Sequence, residues 1–394
     1  MLVANGYAPD PRVHKEAKTL QAKGYSVSVI CWDRERKRKT FEVIDGIRIR
    51  RFRYLIPTGF LSFTVSGLLF LLDCLVVLLK QGLEDRLVIH CHDFNTLPVG
   101  YLLHRWKSSK FRLVYDSHES FPDLLRTIAP RIVVRIVRAV EKLMLNGVDA
   151  LITANDAILR NLRPSSRIPN VAIYNTPPLS VLSITESSDS AEISRLRHEF
   201  GAESFIVLYH GVLQRYRGLS AILDAADLAR HCLPRKVIFA IVGEGPLGSS
   251  LRSEVQKKKL TGSVRLYPHM DFDRVMLMVK GADTVYIGFE PKDPNNYFAS
   301  PNKLFEAMAM EKPVLASGFG FLGRLVQRID CGVIMESVNG PSIIAGIQKL
   351  FDEKFKKKCA ANGLFWFKSH YNWEVMAQRL ESVYADITSC SCVS

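Results

Sequence analysis

The feature that most constrains this chain is an alternation that runs twice. Short apolar stretches, "MLVAN", "YSVSVICW", "GIRIRRF", "LVIHCHD", "RLVYDSHE" and "ALITAN", are separated in several places by helical patterns. The pattern lapses in a Pro/Ser-rich stretch and resumes with "FIVLYHG", "VIFAIVGEG", "VRLYPH", "TVYIGF", "PVLAS" and "CGVIME". Apolar strands alternating with helices are covered on both faces, which predicts a parallel, doubly wound α/β sheet. Two such runs in 394 residues predict two domains. The expected division is an N-terminal domain over 1–165, a connector over 166–202, a C-terminal domain over 203–365 and a closing helix over 366–388. Ligands of such sheets bind beyond the carboxyl ends of the strands, and two such domains place the natural site in the cleft between them.

A net charge of +14 favours an anionic partner. The dense basic runs "RERKRK" at 34–39 and "KFKKK" at 354–358 lie far apart, so no nucleic-acid partner is expected, whereas an anionic membrane surface fits the same balance. Eight cysteines are scattered without zinc-ligand spacing or a disulfide framework, and "MLVANGY" has no charged leader before an apolar core. A cytoplasmic location is expected. Residues 60–79, "FLSFTVSGLLFLLDCLVVLL", carry Asp73 as their only charge and follow Arg48, Arg50, Arg51 and Arg53. Their length would span a bilayer. However, the strands on either side read as one sheet, so a covering or interfacial helix is expected.

In "ASPNKLFEAMAMEKPVLASG", residues 299–318, Ser300 and Pro301 read as an N-cap and first helical position, with Glu306 in the second turn of an otherwise apolar helix. Gly318 and Gly320 precede the helical pattern "FLGRLVQRI" and offer backbone N–H groups to a diphosphate. "HCHDF" sets His90 and His92 on one face at the carboxyl end of a strand; a metal pair is the sharper reading, but no third ligand of suitable spacing is evident. "DFD" at 271–273 precedes a helical pattern, so Asp271 or Asp273 is a cap, and no metal or other cofactor is expected.

Taken in order, "PDPRVHKEAKTLQAKGYSVSVICW", "LVIHCHDFNTLPVG", "VYDSHESFPDL", "YHGVLQRYRGLSAILDA", "VGEGPL" and "SPNKLFEAMAMEKPVLAS" resemble the family 4 retaining glycosyltransferases over nearly the whole chain. The resemblance implies the GT-B fold of two facing Rossmann-like domains, with a nucleotide-sugar donor on the second domain, an acceptor on the first and a terminal helix crossing back. It gives Arg217 the donor-phosphate role, Glu306 the nucleotide ribose and His92 the place of the active-site histidine, with Gly211 and Gly243 in the donor loops. Two positions depart from the family pattern: Val212 stands where an arginine follows the glycine, and Phe298 where the first of two glutamates belongs. Arg215 is the candidate replacement for the first, and Asn302 or Lys303 for the second. His118 with Glu119 is expected to orient an acceptor hydroxyl or to act as base. The apolar segment 60–79, the arginines at 48–53 and the net charge of +14 lead to the expectation of an acceptor that is lipid-linked or a cell-envelope glycan, reached peripherally at the inner membrane face. A nucleotide-sugar 2-epimerase on the same scaffold and a non-catalytic nucleotide-sugar-binding protein remain as alternatives. A dehydrogenase does not, since "ANGYAPDPR" lacks G-x-G-x-x-G.

Overall fold

The computed structural model describes every residue except Pro9, 55–59, 82–86, 108–110, 186–189, Ala202 and 390–394, and gives no side-chain placement for 60–64, Gln81, Thr185, 190–192 and 196. The chain divides into two compact units, Met1–Asn175 with Met376–Ser394, and Thr176–Val375. The division at 175/176 falls inside the stretch read as a connector, whose strand Asn170–Ala172 pairs within the first unit's sheet.

The first unit is built on an eight-stranded sheet: β1 (Leu2–Val3), β2 (Ser28–Trp32), β3 (Phe41–Ile44), β4 (Ile47–Phe52), β5 (Leu87–His92), β6 (Phe111–Ser117), β7 (Ala150–Thr153) and β8 (Asn170–Ala172). Its order is β3-β4-β2-β1-β5-β6-β7-β8. All pairs are parallel except β3 with β4, an edge hairpin closed by Asp45 and Gly46, both at positive φ (49° and 81°). Positive φ at both turn residues is the type I′ geometry that Asp-Gly favours, so "VIDGI" held a hairpin signal that the reading of strands and helices alone passed over.

One face of this sheet is covered by helices Phe60–Gln81, Leu97–Lys107 and Arg131–Leu145, which bury Phe70, Cys74, Val77, Leu78, Leu97, Leu103 and Leu145 against Ile89, Leu113 and Leu151. Segment 60–79 is thus a covering helix, and among the described residues no helix is long and apolar enough to cross a membrane. Its single charge has a partner: the Tyr54 hydroxyl donates to Asp73 Oδ2 at 2.6 Å. Helix Pro11–Ala22 starts at Asp10, whose carboxylate accepts from the Arg12 and Val13 amides, and buries Val13, Ala17 and Leu20. The C-terminal helix Trp373–Ser389 enters the first unit at Met376 and ties to its sheet, with Tyr384 Oη 2.9 Å from His90 Nδ1 and Arg379 donating to the Ala172 carbonyl.

The second unit holds six parallel strands in the order β11-β10-β9-β12-β13-β14: β9 (Phe205–His210), β10 (Val237–Val242), β11 (Val264–Tyr267), β12 (Thr284–Ile287), β13 (Val314–Ser317) and β14 (Gly332–Met335). β9 and β10 are buried at every position, as central strands between two helical layers must be. Helix Asn302–Ala309 begins one residue later than the sequence implies: Pro301 holds the N-cap position, and no side chain caps the turn. The Ser300 cap is therefore corrected. Asp271 does cap helix Phe272–Gly281, accepting from the Arg274 amide at 2.9 Å.

Candidate active site

In the first unit the chemistry gathers where β5 and β6 end. Parallel register sets His92 beside Asp116. His118, just past β6, places Nε2 2.9 Å from Asp116 Oδ2 and 3.1 Å from His92 Nδ1. Its backbone N–H donates to Asp93 Oδ1 at 2.9 Å, with Nδ1 3.6 Å from Asp93 Oδ2. Arg12 grips Asp116 with both arms of its guanidinium, Nε to Oδ2 at 3.0 Å and Nη2 to Oδ1 at 2.7 Å, and its Nε lies 3.1 Å from Glu16 Oε1. His90 stacks on His92 with ring centroids 4.3 Å apart. Arg12, Glu16, His90, His92 and Asp116 are all buried, whereas His118 is 19% exposed.

Burial alone would raise the Asp116 carboxyl, but Arg12 and His118 outweigh it and hold it well below the usual range. Burial would likewise favour neutral His118; the carboxylates of Asp93 and Asp116 overcome that and lift it to about 9. The lifted value favours the imidazolium form of His118, which suits a hydrogen-bond donor better than the base that the sequence suggests. Desolvation keeps His90 and His92 neutral, and burial followed by the Asp116 charge lifts Glu16 to about 8. Glu119 is exposed, with its carbonyl accepting from Ser117 Oγ; the carboxylates that flank His118 are Asp116 and Asp93.

The structure supplies the third and fourth ligands that the sequence did not reveal: atoms of Glu16, His90, His92 and Asp116 all lie within 4.8 Å of one another. Arg12, against both carboxylates, already provides the positive charge this group needs. A metal would have to share it with a guanidinium, so the set fits an ion poorly.

In the second unit, a cavity of about 440 Å³ opens at the carboxyl ends of β9 and β10, lined among others by His210, Gly211, Val212, Gly243, Met270 and Glu306. Gly211 (φ 121°) and Gly243 (φ 140°) are in close contact: a Cβ on Gly243 would fall 2.0 Å from the Gly211 carbonyl oxygen, so only glycine leaves the floor open. Glu306 Oε2 lies 3.6 Å from His210 Nε2. Burial, with Lys303 adding to it, lowers His210 to about 3, so this contact joins a carboxylate to a neutral ring. Lys303 Nζ sits 3.9 Å from the Tyr209 ring centroid, and burial and then Arg217 lower it to about 7.

Arg217 is positioned from two sides. Its Nη1 donates to Asn296 Oδ1 at 2.5 Å and its guanidinium lies 4.4 Å over the Phe289 ring. Asn296 is itself buried and spans the Tyr216 and Glu290 carbonyls. Arg215 and Asn302 are exposed, and half-buried Phe298 ends the 3-10 turn Pro294–Tyr297. After β13, Gly318 and Gly320 form the turn into helix Gly320–Ile329, which no side chain caps. Gly320 has φ 66°, and a Cβ there would lie 2.7 Å from the Tyr297 carbonyl oxygen. Helix N-termini carry a partial positive charge, which suits an anion.

Sequence reasoning missed Arg12, Asp93, Asp116, His210 and Asn296. Arg12 alone left a trace, since a cation in the first turn of a helix opposes the macrodipole and asks for another reason to be there.

Over this geometry, sucrose-phosphate synthase from Thermosynechococcus elongatus superposes with a TM-score of 0.75 at 19% identity, covering 99% of both chains. HepE from Anabaena, solved in complex with UDP-glucose, gives a TM-score of 0.71 at 17% identity over 98% of each. Residues 8–176 match the family described as "Glycosyl transferase 4-like domain" and residues 191–366 that described as "Glycosyl transferases group 1". The chain is a glycosyltransferase of the GT-B type. Among curated relatives of this glycosyltransferase, the alpha-D-kanosaminyltransferase of Streptomyces kanamyceticus is 20% identical over 313 residues, 78% of this chain and 79% of its own. D-inositol 3-phosphate glycosyltransferase 1 of Catenulispora acidiphila is 23% identical over 316 residues, 76% and 72% of the two chains.

Proposed function

We propose that this glycosyltransferase moves a sugar from a nucleotide-sugar, with retention of anomeric configuration, to a lipid-linked or cell-envelope glycan acceptor at the cytoplasmic face of an anionic membrane. The observation that carries the donor half is the cavity at the ends of β9 and β10, where a carboxylate, Glu306, and a glycine floor share one wall. In this reading Glu306 accepts from ribose hydroxyls, and Arg217, Lys303 and the N-terminus of helix Gly320–Ile329 stabilise the departing diphosphate. Arg215 faces solvent beside this loop and joins the phosphate only once donor is bound. In the first unit His118, cationic and held by two carboxylates, donates a hydrogen bond to the acceptor, and Arg12 provides the charge balance of the buried cluster.

Membrane attachment rests on the outer faces of the helices over the first sheet. Leu68, Leu72, Val76 and Leu79 on helix Phe60–Gln81, Leu102 and Trp106 on helix Leu97–Lys107, and Ile132, Ile136 and Leu143 on helix Arg131–Leu145 are all exposed. Arg105, Lys107, Arg131, Arg135, Arg138 and Lys142 are interleaved with them, the pairing expected of a surface that lies on anionic lipid.

The test is a turnover assay with a panel of nucleotide-sugars, UDP-glucose first, with and without lipid-linked acceptors, following the anomeric proton coupling of the product by NMR. Transfer with the donor's configuration supports the proposal. Isomerised nucleotide-sugar without acceptor would make the protein an epimerase, and donor binding without any turnover a binding module; either result overturns it.

A further inference from the structure

A second cavity, of about 290 Å³, lies in the first unit and serves none of the roles assigned so far. Trp32, Phe94 and Phe121 form its inner wall and Gly67, Leu68 and Leu71 of helix Phe60–Gln81 its outer one. Asn95 is its one polar side chain among the lining residues. The position is specific. Trp32 ends β2, Phe94 follows His92 by two residues and Phe121 follows His118 by three, so the cavity sits on the loops that carry the two histidines. Phe94 and Phe121 stack with centroids 5.0 Å apart, joining those loops. At its outer rim Leu68 is 61% exposed and continues into the apolar face of Leu72, Val76 and Leu79.

A purely apolar site would take any greasy fragment; this one has a charged rim. The chain leaves Trp32 directly into "RERKRK", residues 34–39, five cations against Glu35. Arg34 lies 4.6 Å over the Trp32 ring, on the cavity's own wall. The rest of the loop is held in shape: buried Asp33 accepts from the Arg36 amide at 3.0 Å and the Arg38 amide at 2.9 Å. Arg51 bonds the Gly6, Tyr7 and Lys39 carbonyls, fastening the loop beside β1. An apolar cavity with a fixed basic loop at one end and an exposed apolar helix face at the other matches one kind of molecule: a hydrocarbon chain that carries phosphate at its head.

We propose that this cavity binds the head-proximal hydrocarbon of a phosphate-bearing lipid acceptor, with the phosphate against Arg34 and the neighbouring cations. The volume is at the low end of the ~300–1,000 Å³ usual for small-molecule sites, so it holds only the first part of a chain whose remainder stays in the lipid. The inference rests on the glycosyltransferase reading and adds to it the chemistry of the acceptor.

Gly67 gives a test, because it lines the cavity and a Cβ there meets nothing within 4 Å, so Gly67→Leu can direct a side chain into the space a ligand would take. Full-length protein without vesicles is titrated with farnesyl phosphate, dodecyl phosphate, farnesol and inorganic phosphate, read by calorimetry and by Trp32 emission. Farnesyl phosphate should bind at least ~10-fold more tightly than farnesol or inorganic phosphate, since only it engages both the apolar cavity and the cations at its rim. Dodecyl phosphate distinguishes an isoprenoid from a straight-chain lipid, and preference for either supports the site. Gly67→Leu should abolish binding of both without lowering Tm or the affinity for UDP, and Arg34→Ala should erase the preference over farnesol. No binding by either readout, or binding that Gly67→Leu leaves unchanged, overturns the proposal. If UDP binding persists, only this inference falls; if UDP also fails to bind, the donor reading falls with it.

Discussion

His118 Nε2 lies 2.9 Å from Asp116 Oδ2, and the same carboxylate is held from its other side by both arms of Arg12. One buried anion thus orients two cations, and the histidine is the only one of the three with access to solvent. Burial of the anion favours the charged form of the histidine beside it.

The raised His118 value has a stability signature. A histidine lifted from 6.5 to about 9 on folding contributes stability that is complete below 6.5 and lost as pH rises through about 9. The contribution is on the order of 3 kcal/mol. Glu16, lifted to about 8, loses stability over part of the same window. The diagnostic quantity is therefore the difference between wild type and His118→Gln in urea unfolding from pH 6.5 to 9: the wild type should fall more steeply. Parallel slopes would show that His118 is not charged in the folded protein.

Arg217 is positioned by Asn296 and Phe289, so its contribution depends on where it points as well as on its charge. Arg217→Ala should lower kcat/KM by roughly 10²-fold, the scale of losing one preorganised charge partner. Asn296→Ala should reproduce part of that loss, and Arg217→Lys should not rescue it, because a lysine has no planar fork to share between an amide and a ring. A threefold change or less in a transfer assay would remove Arg217 from the site.

Glu306→Gln should weaken UDP binding by roughly 10- to 100-fold, corresponding to ~1.5–3 kcal/mol for hydrogen bonds to a charged group. Calorimetry at fixed pH measures it, with Tm recorded alongside. A lowered Tm with unchanged UDP affinity would make Glu306 a structural partner of His210 and nothing more.

Membrane attachment should appear in sedimentation with vesicles. The exposed leucines and valines contribute about 25 cal/mol per Å² buried, and each nearby Lys or Arg on the order of 1 kcal/mol on anionic lipid. Wild type should pellet with anionic vesicles at low salt and release as salt rises, and Leu72→Asp should remain in the supernatant. Protein that ignores anionic vesicles at low salt would end the membrane claim.

Much of this was legible in the chain itself. The six apolar runs of the second unit are its six strands, and the four inner ones, β9, β10, β12 and β13, are buried at every position, as strands covered on both faces are. The role of 60–79 as a cover also followed from topology, since one sheet needs the strands on both sides of it. Less was legible where pairing is not periodic: the β3–β4 hairpin rested on two turn residues, and the start of helix Asn302–Ala309 on a cap that its N-terminal turn does not use.

By itself the sequence determined the doubly wound class, the strand ends at which His90, His92 and His118 stand, the helix that carries Glu306, and the departures at Val212 and Phe298. Hydrophobic period and local turn chemistry act over a few residues and are written there. Only the tertiary structure decided which of these side chains are charged and what they touch. Arg12 and Asp116 are 104 positions apart, and Arg217 and Asn296 are 79. No local pattern links such pairs, yet burial and the field of those distant partners make His118 a cation and keep His92 neutral, because the energy of a charge depends on everything within several ångströms and not on its neighbours in the chain.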